Sequence, residues 1–170
     1  ASDVYKRQQY APGFTEASPL LGWSMTKSIT NALVGIMVKN GLLRLQQDHL
    51  FPEWEEDERA NITLEDLLHM NSGLEWNEAY GGVSDATKML YTQPDMAAYA
   101  RAQPLAFEPN TTWVYSSGTT NLLSTLVRQA LGNDQAYHSL LRDSLFLPIG
   151  MHSAKIETDQ SGTFVGSSYG

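Results

Sequence analysis

The chain has 170 residues, 42% of them hydrophobic and 18% charged, which suits one globular unit with a sizeable core rather than a disordered tail. Its 19 acidic and 11 basic residues give a formal net charge of -8, and no Lys/Arg run offers a nucleic-acid footprint. There is no cysteine, so disulfides and thiolate metal sites are excluded, and no apolar run approaches the ~20 residues of a membrane-spanning helix.

Residues 3–8 read Asp-Val-Tyr-Lys-Arg-Gln, the translation of a common sequencing-adapter end. Residues 1–8 are therefore expected to be a non-native scar, and fold reasoning starts at residue 9. A Pro-Gly turn at Pro12-Gly13 and a short approach over residues 19–23 lead to the strongest helical segment, 24–40. There Ile29, Leu33, Ile36 and Met37 recur at helical spacing, and Asn40-Gly41 supplies the stop. Residues 42–54 read as loop, and Glu55, Glu56, Asp57 and Glu58 as a solvated acidic face. Thr63 is expected to cap a short helix with Asp66 as its capping-box partner, Leu64, Leu67 and Leu68 on the buried side, and Asn71-Ser72-Gly73 as the end. The pattern predicts another short helix over 95–101, a turn at Glu108-Pro109-Asn110, and a helix over 119–131 stopped by Gly132. Asp134 is expected to cap a last helix through Phe146, broken by Pro148-Ile149-Gly150. The visible part is thus mostly α, with few strands and no internal repeat.

Ser24-Met25-Thr26-Lys27 opens the first long helix. Positions three apart share a helix face, so Lys27 can present its amine to the Ser24 hydroxyl. The helix start adds free backbone N–H groups and a partial positive charge, which favour an oxyanion beside the serine. Serine is a weak nucleophile until an adjacent base takes its proton. A lysine does that only when neutral, and a free lysine titrates near 10.4, so a closed, mostly apolar pocket is expected around the amine. Read as plain structure, Ser24 is an N-cap and Lys27 a solvated first-turn residue, although a cation there opposes the helix dipole. Tyr115-Ser116-Ser117-Gly118 stands at a loop-to-helix junction, where a phenol can act as a proton relay or simply fill the core. Trp76, Glu78 and Tyr80 follow Gly73 in a loop that reads either as a border of the same cleft or as ordinary loop packing. His49, His69, His138 and His152 lack metal-ligand spacing, so no metal is expected. Trp23 and Met25 read as packing, with Trp23 as a further candidate wall.

Four segments in register carry a family resemblance. Gly22-Trp23-Ser24-Met25-Thr26-Lys27-Ser28 resembles the Ser-x-x-Lys motif of the serine β-lactamase and penicillin-binding-protein superfamily, class C β-lactamases and related esterases in particular. Residues 62–74, Ile-Thr-Leu-Glu-Asp-Leu-Leu-His-Met-Asn-Ser-Gly-Leu, resemble its Ile-Thr…Leu-Leu-x-His-Thr-Ser-Gly-Leu segment. Glu108-Pro109 followed by Tyr115-Ser116-Ser117 resembles its Pro-Gly…Tyr-x-Asn segment, and Leu147-Pro148-Ile149-Gly150-Met151 its Pro-Leu-Gly-Met turn. The resemblance implies a β-lactamase/transpeptidase-like α+β fold, mostly its helical subdomain here, with the main antiparallel sheet incomplete. Residues 9–170 would then be part of a catalytic domain. It implies Ser24 as nucleophile, Lys27 as base and Tyr115 as relay, no cofactor, and a small ester or amide substrate touched by Ser117, Trp76 and Glu78. The nearest likeness is to the 6-aminohexanoate-oligomer hydrolase and carboxylesterase branch.

Two departures temper that reading. Ser117 stands where the family usually has Asn, which disfavours β-lactam recognition and favours esterase or amidase chemistry. The family's third motif, a Lys/His-Thr-Gly-like strand that supplies the second oxyanion donor, is absent and would lie beyond Gly170, so the chain alone is expected to be nearly inactive. Two other readings stay open. In one, Gly22-Trp23-Ser24 is a degenerate α/β-hydrolase elbow with His138 or His152 as base, although Thr26 stands where that motif needs Gly. In the other, the chain is a non-catalytic binding relative of the same fold.

Overall fold

The computed structural model describes residues 9–169. Its longest early element begins as a 3₁₀ turn, Trp23–Met25, and continues as α1, Thr26–Lys39. Leu33, Val34 and Met37 line its buried side, and Gly41 follows Asn40 in the left-handed conformation, where a residue without Cβ is unstrained. Helix α2, Leu64–His69, has the full expected capping box: Thr63 Oγ1 accepts from the Asp66 N–H at 3.1 Å and Asp66 Oδ2 accepts from the Thr63 N–H at 2.9 Å. It stops earlier than Asn71-Ser72-Gly73, because Met70 itself turns left-handed at φ 59°.

Helix α3, Asp85–Thr92, has no counterpart in the sequence reading. Its signal is a Ser84/Thr87 capping box ahead of the apolar pair Met89 and Leu90. Helix α4, Met96–Arg101, is capped by Asp95, and α5 spans Ser117–Leu131, with Ser116 as cap and Gly132 as left-handed stop. Helix α6, Asp134–Leu141, is capped by Asn133 rather than Asp134, and runs on as one π turn through Phe146.

Helix α5 is the axis of the molecule. Every residue from Ser117 to Val127 is buried, and α1, α2, α4 and α6 all pack against it. Leu122, Leu126 and Val127 join Phe51, Trp54, Ile62, Leu64, Leu67, Tyr137 and Phe164 in one apolar cluster. Complete burial of a Leu, Ile or Phe side chain stabilises by roughly 1.5–3 kcal/mol, so this cluster is what orients the helix starts. Among the described residues there is no strand, only isolated antiparallel bridges at Leu74–Leu105 and Thr158–Phe164. The architecture is the expected helical part of an α+β fold. The acidic run 55–58 is solvent-exposed as expected, with Glu55 paired to His49 at 2.7 Å and Asp57 to Arg59 at 2.7 Å. No helix among the described residues is long and apolar enough to cross a membrane. The expected scar, residues 1–8, lies outside the described residues.

Candidate active site

Three segments converge on one amine. The start of α1 supplies Ser24 and Lys27, the start of α5 supplies Ser117 with Tyr115 just ahead of it, and the C-terminal segment supplies the main chain of Ser167. Lys27 Nζ lies 3.2 Å from Ser24 Oγ, 3.1 Å from Ser117 Oγ and 3.0 Å from the Ser167 carbonyl oxygen. It also lies over the Tyr115 ring, 5.0 Å from the centroid. Ser24 itself is exposed, whereas Lys27 and Tyr115 are half-buried and Ser117 is wholly buried.

Each placement has a local cause. Ser116 caps α5, its Oγ accepting from the Thr119 N–H at 3.0 Å, and this sets Ser117 as the first helical residue, two positions ahead of the expected start. The segment around Gly166 is wedged between α1 and α5. Thr30 Oγ1 donates to the Gly166 carbonyl at 2.9 Å, and Asn121 Nδ2 donates to Ser167 Oγ at 3.2 Å. A Cβ on Gly166 would stand 2.3 Å from Thr30 Oγ1 and 2.4 Å from Ser124 Oγ, so only glycine fits. Trp23, immediately before the candidate nucleophile, has φ 45°, a left-handed conformation that is costly for a bulky side chain and is typically found where function demands it. Trp23 and Met25 are 48% and 73% exposed, which corrects their reading as packing residues. The Trp23 indole instead faces the Tyr169 ring, 6.1 Å between centroids.

Glu78 gathers the polar edge of the site. Its carboxylate accepts from Trp76 Nε1 at 2.5 Å, from the Tyr80 hydroxyl at 2.5 Å, from the Ser117 N–H at 2.8 Å, and from the Ser117 hydroxyl. The loop that carries it is pinned by helix α3: Asp85 Oδ2 accepts from the Asn77 N–H at 2.9 Å, and Ser84 Oγ donates to the Ala79 carbonyl at 2.5 Å. Withdrawal from water, reinforced by donation to Glu78, raises Tyr80 to about 12 although the rest of its ring is half-exposed. Trp76 packs its ring on the first turn of α5, where a Cβ on Gly118 would stand 2.6 Å from it. Trp76 and Glu78, expected on a substrate wall, thus hold each other and the helix start. The roles of Ser167 and Gly166 were missed; the small-residue run Gly166-Ser167-Ser168 is the one available hint, and it points to close packing rather than to a site. Among the described residues no three His, Asp or Glu side chains gather as a metal site.

A family model described as Beta-lactamase matches residues 5–169. Solved structures agree on the fold. A protein described as a 6-aminohexanoate-dimer hydrolase from Bacillus anthracis superposes with TM-score 0.76 at 18% identity, over 95% of this chain and 46% of that one. A penicillin-binding protein from Bacillus halodurans gives 0.68 at 18% identity, over 84% of this chain and 45% of that one. A class C β-lactamase in complex with cefoxitin gives 0.62 at 22% identity, over 87% of this chain and 40% of that one. The chain spans less than half the length of each of these structures. The match over residues 5–169, on a helical fold shared with these structures, makes the chain a member of the β-lactamase family.

Proposed function

We propose that these residues are the nucleophile-bearing part of a serine hydrolase that forms an acyl-enzyme on an ester or linear amide. The observation that carries this reading is the 3.2 Å contact between Lys27 Nζ and Ser24 Oγ at the leading end of α1. In the proposed reaction neutral Lys27 takes the Ser24 proton as Oγ attacks the substrate carbonyl carbon. The tetrahedral oxyanion forms beside the helix start, where the Ser24 N–H is one donor. Tyr115, under the amine, passes the proton to the leaving group; the acyl-enzyme is then released by water. The short Ser117 side chain and the likeness to a 6-aminohexanoate-dimer hydrolase support esters and linear amides over β-lactams. A histidine-based reading has less support, since the base within reach of Ser24 is Lys27, while His138 packs on the Tyr137 and Phe164 rings at 5.4 and 5.7 Å.

The test uses the full-length protein and a fluorophosphonate probe. Ser24→Ala is expected to abolish labelling, and Lys27→Ala and Tyr115→Phe each to lower nitrophenyl-ester turnover by about 10²–10⁴-fold. Labelling that persists in Lys27→Ala but vanishes on replacing His138 or His152 would overturn the assignment.

A further inference from the structure

A neutral amine has two N–H bonds and a single lone pair, and only the lone pair can take a proton. Lys27 Nζ has three oxygen neighbours: Ser24 Oγ, Ser117 Oγ and the Ser167 carbonyl. As an ammonium it donates to all three. As a neutral base it must turn its lone pair towards a neighbour that offers a proton. The Ser167 carbonyl never donates, and each of the two serine hydroxyls has one proton to give.

The Ser117 proton is already placed. Its Oγ donates to Glu78 Oε1, and Glu78 Oε2 accepts the backbone N–H of the same residue at 2.8 Å. The carboxylate accepts and cannot donate, and it is held from behind by Trp76 Nε1 and the Tyr80 hydroxyl, each at 2.5 Å. Tyr80, 3.5 Å from Ser117 Oγ, spends its own proton on Glu78. Ser117 therefore meets Lys27 only as an acceptor. With Ser117 Oγ and the Ser167 carbonyl taking the two N–H bonds, the lone pair is left facing Ser24.

We infer that Glu78 is a positioning residue: by holding the Ser117 proton it makes Ser117 an acceptor for Lys27, and so aims the lone pair of the neutral amine at the Ser24 hydroxyl. This rests on Ser24 and Lys27 acting as nucleophile and base. In Glu78→Gln the side-chain amide can donate to Ser117, whose proton then competes for the lone pair.

The experiment is a double-mutant cycle on acylation in the full-length protein, read with a fluorophosphonate probe and with nitrophenyl-ester kinetics. Glu78→Gln is expected to lower the acylation rate and kcat about a hundredfold with KM little changed, the scale of a misaligned reacting group. Ser117→Ala is expected to do the same, Ser117→Thr, which keeps the hydroxyl, to lose less than Ser117→Ala, and Glu78→Gln to add nothing in the Ser117→Ala background. Losses that multiply in the double variant would mean that Glu78 acts by general support of the fold and would overturn the inference, as would an unimpaired Glu78→Gln. If Glu78→Gln does not fold, equal rates in Ser117→Ala and Ser117→Thr overturn it. A wild-type protein that is never acylated at Ser24 instead overturns the catalytic reading, and this inference with it.

Discussion

Lys27 is ringed by two hydroxyls and a carbonyl, not by the closed apolar wall that neutral-amine chemistry led us to expect. The polarity comes from the helix starts: the first turn of α5 has to expose its backbone N–H groups, and short hydroxyl side chains such as Ser116 gather where they can accept from them. At this scale three of the phenols ionise above their ordinary range. Withdrawal from water and donation to Asp85 at 2.7 Å raise Tyr99 to about 12, Tyr80 stands at about 12 beside Glu78, and burial pushes Tyr137 up as well. In the unfolded chain tyrosine ionises near 10. The unfolded state therefore releases these protons first, and the stability they contribute is complete below pH 10 and lost as pH rises through 12. Urea midpoints are expected to fall over that window, and Tyr99→Phe to flatten the fall; a wild-type midpoint that holds level to pH 12 would contradict this. Ser24, Lys27, Tyr115 and Ser117 were legible as residues because their motifs are local. The third oxygen beside Lys27, the Ser167 carbonyl, was not, since a main-chain oxygen has no sequence signature.

Helices were legible where a cap, an apolar stripe and a stop coincide. Helix α1, the Thr63/Asp66 box of α2, the short helix over 95–101 and the Gly132 stop of α5 all follow from the residue order. Helix α3 went unread because its box closes with Thr87, a hydroxyl where an acidic or amide side chain is the usual signal. The start of α5 shifted because Ser116 caps more effectively than the β-branched Thr119 begins a turn. One element-scale consequence is testable at Gly166, wedged between α1 and α5. Gly166→Ala forces a methyl group against Thr30 Oγ1 and Ser124 Oγ, and overpacking of this kind typically costs 1–3 kcal/mol. Chemical denaturation is expected to show a loss in that range; a change below about 0.5 kcal/mol would mean that the wedge yields freely.

On the scale of the molecule, an apolar groove of about 860 Å³ runs between residues 16–21, α1 and residues 151–157, and Leu20, Leu21, Ile29, Phe146, Met151 and Ile156 are among its lining. Leu20 and Leu21 are 60% and 53% exposed there. The matched structures are covered to 46% and 40% of their own length, and we propose that a second oxyanion donor is supplied outside these residues. Loss of one oxyanion donor typically lowers kcat by 10²–10³, so the 170-residue chain is expected to turn over nitrophenyl esters at least a hundredfold more slowly than the full-length protein. Equal turnover would remove the need for that donor.

The wedge at Gly166 has an evolutionary corollary. Two of the amine's three oxygen contacts belong to serine side chains and can be deleted by one codon change, but the third is peptide oxygen, present whatever residue is encoded at position 167. Drift at that position can alter the hydroxyl held by Asn121 while leaving the acceptor in place. The contact is therefore vulnerable to substitution at the neighbouring glycine, the residue that lets the main chain come within reach of the lysine.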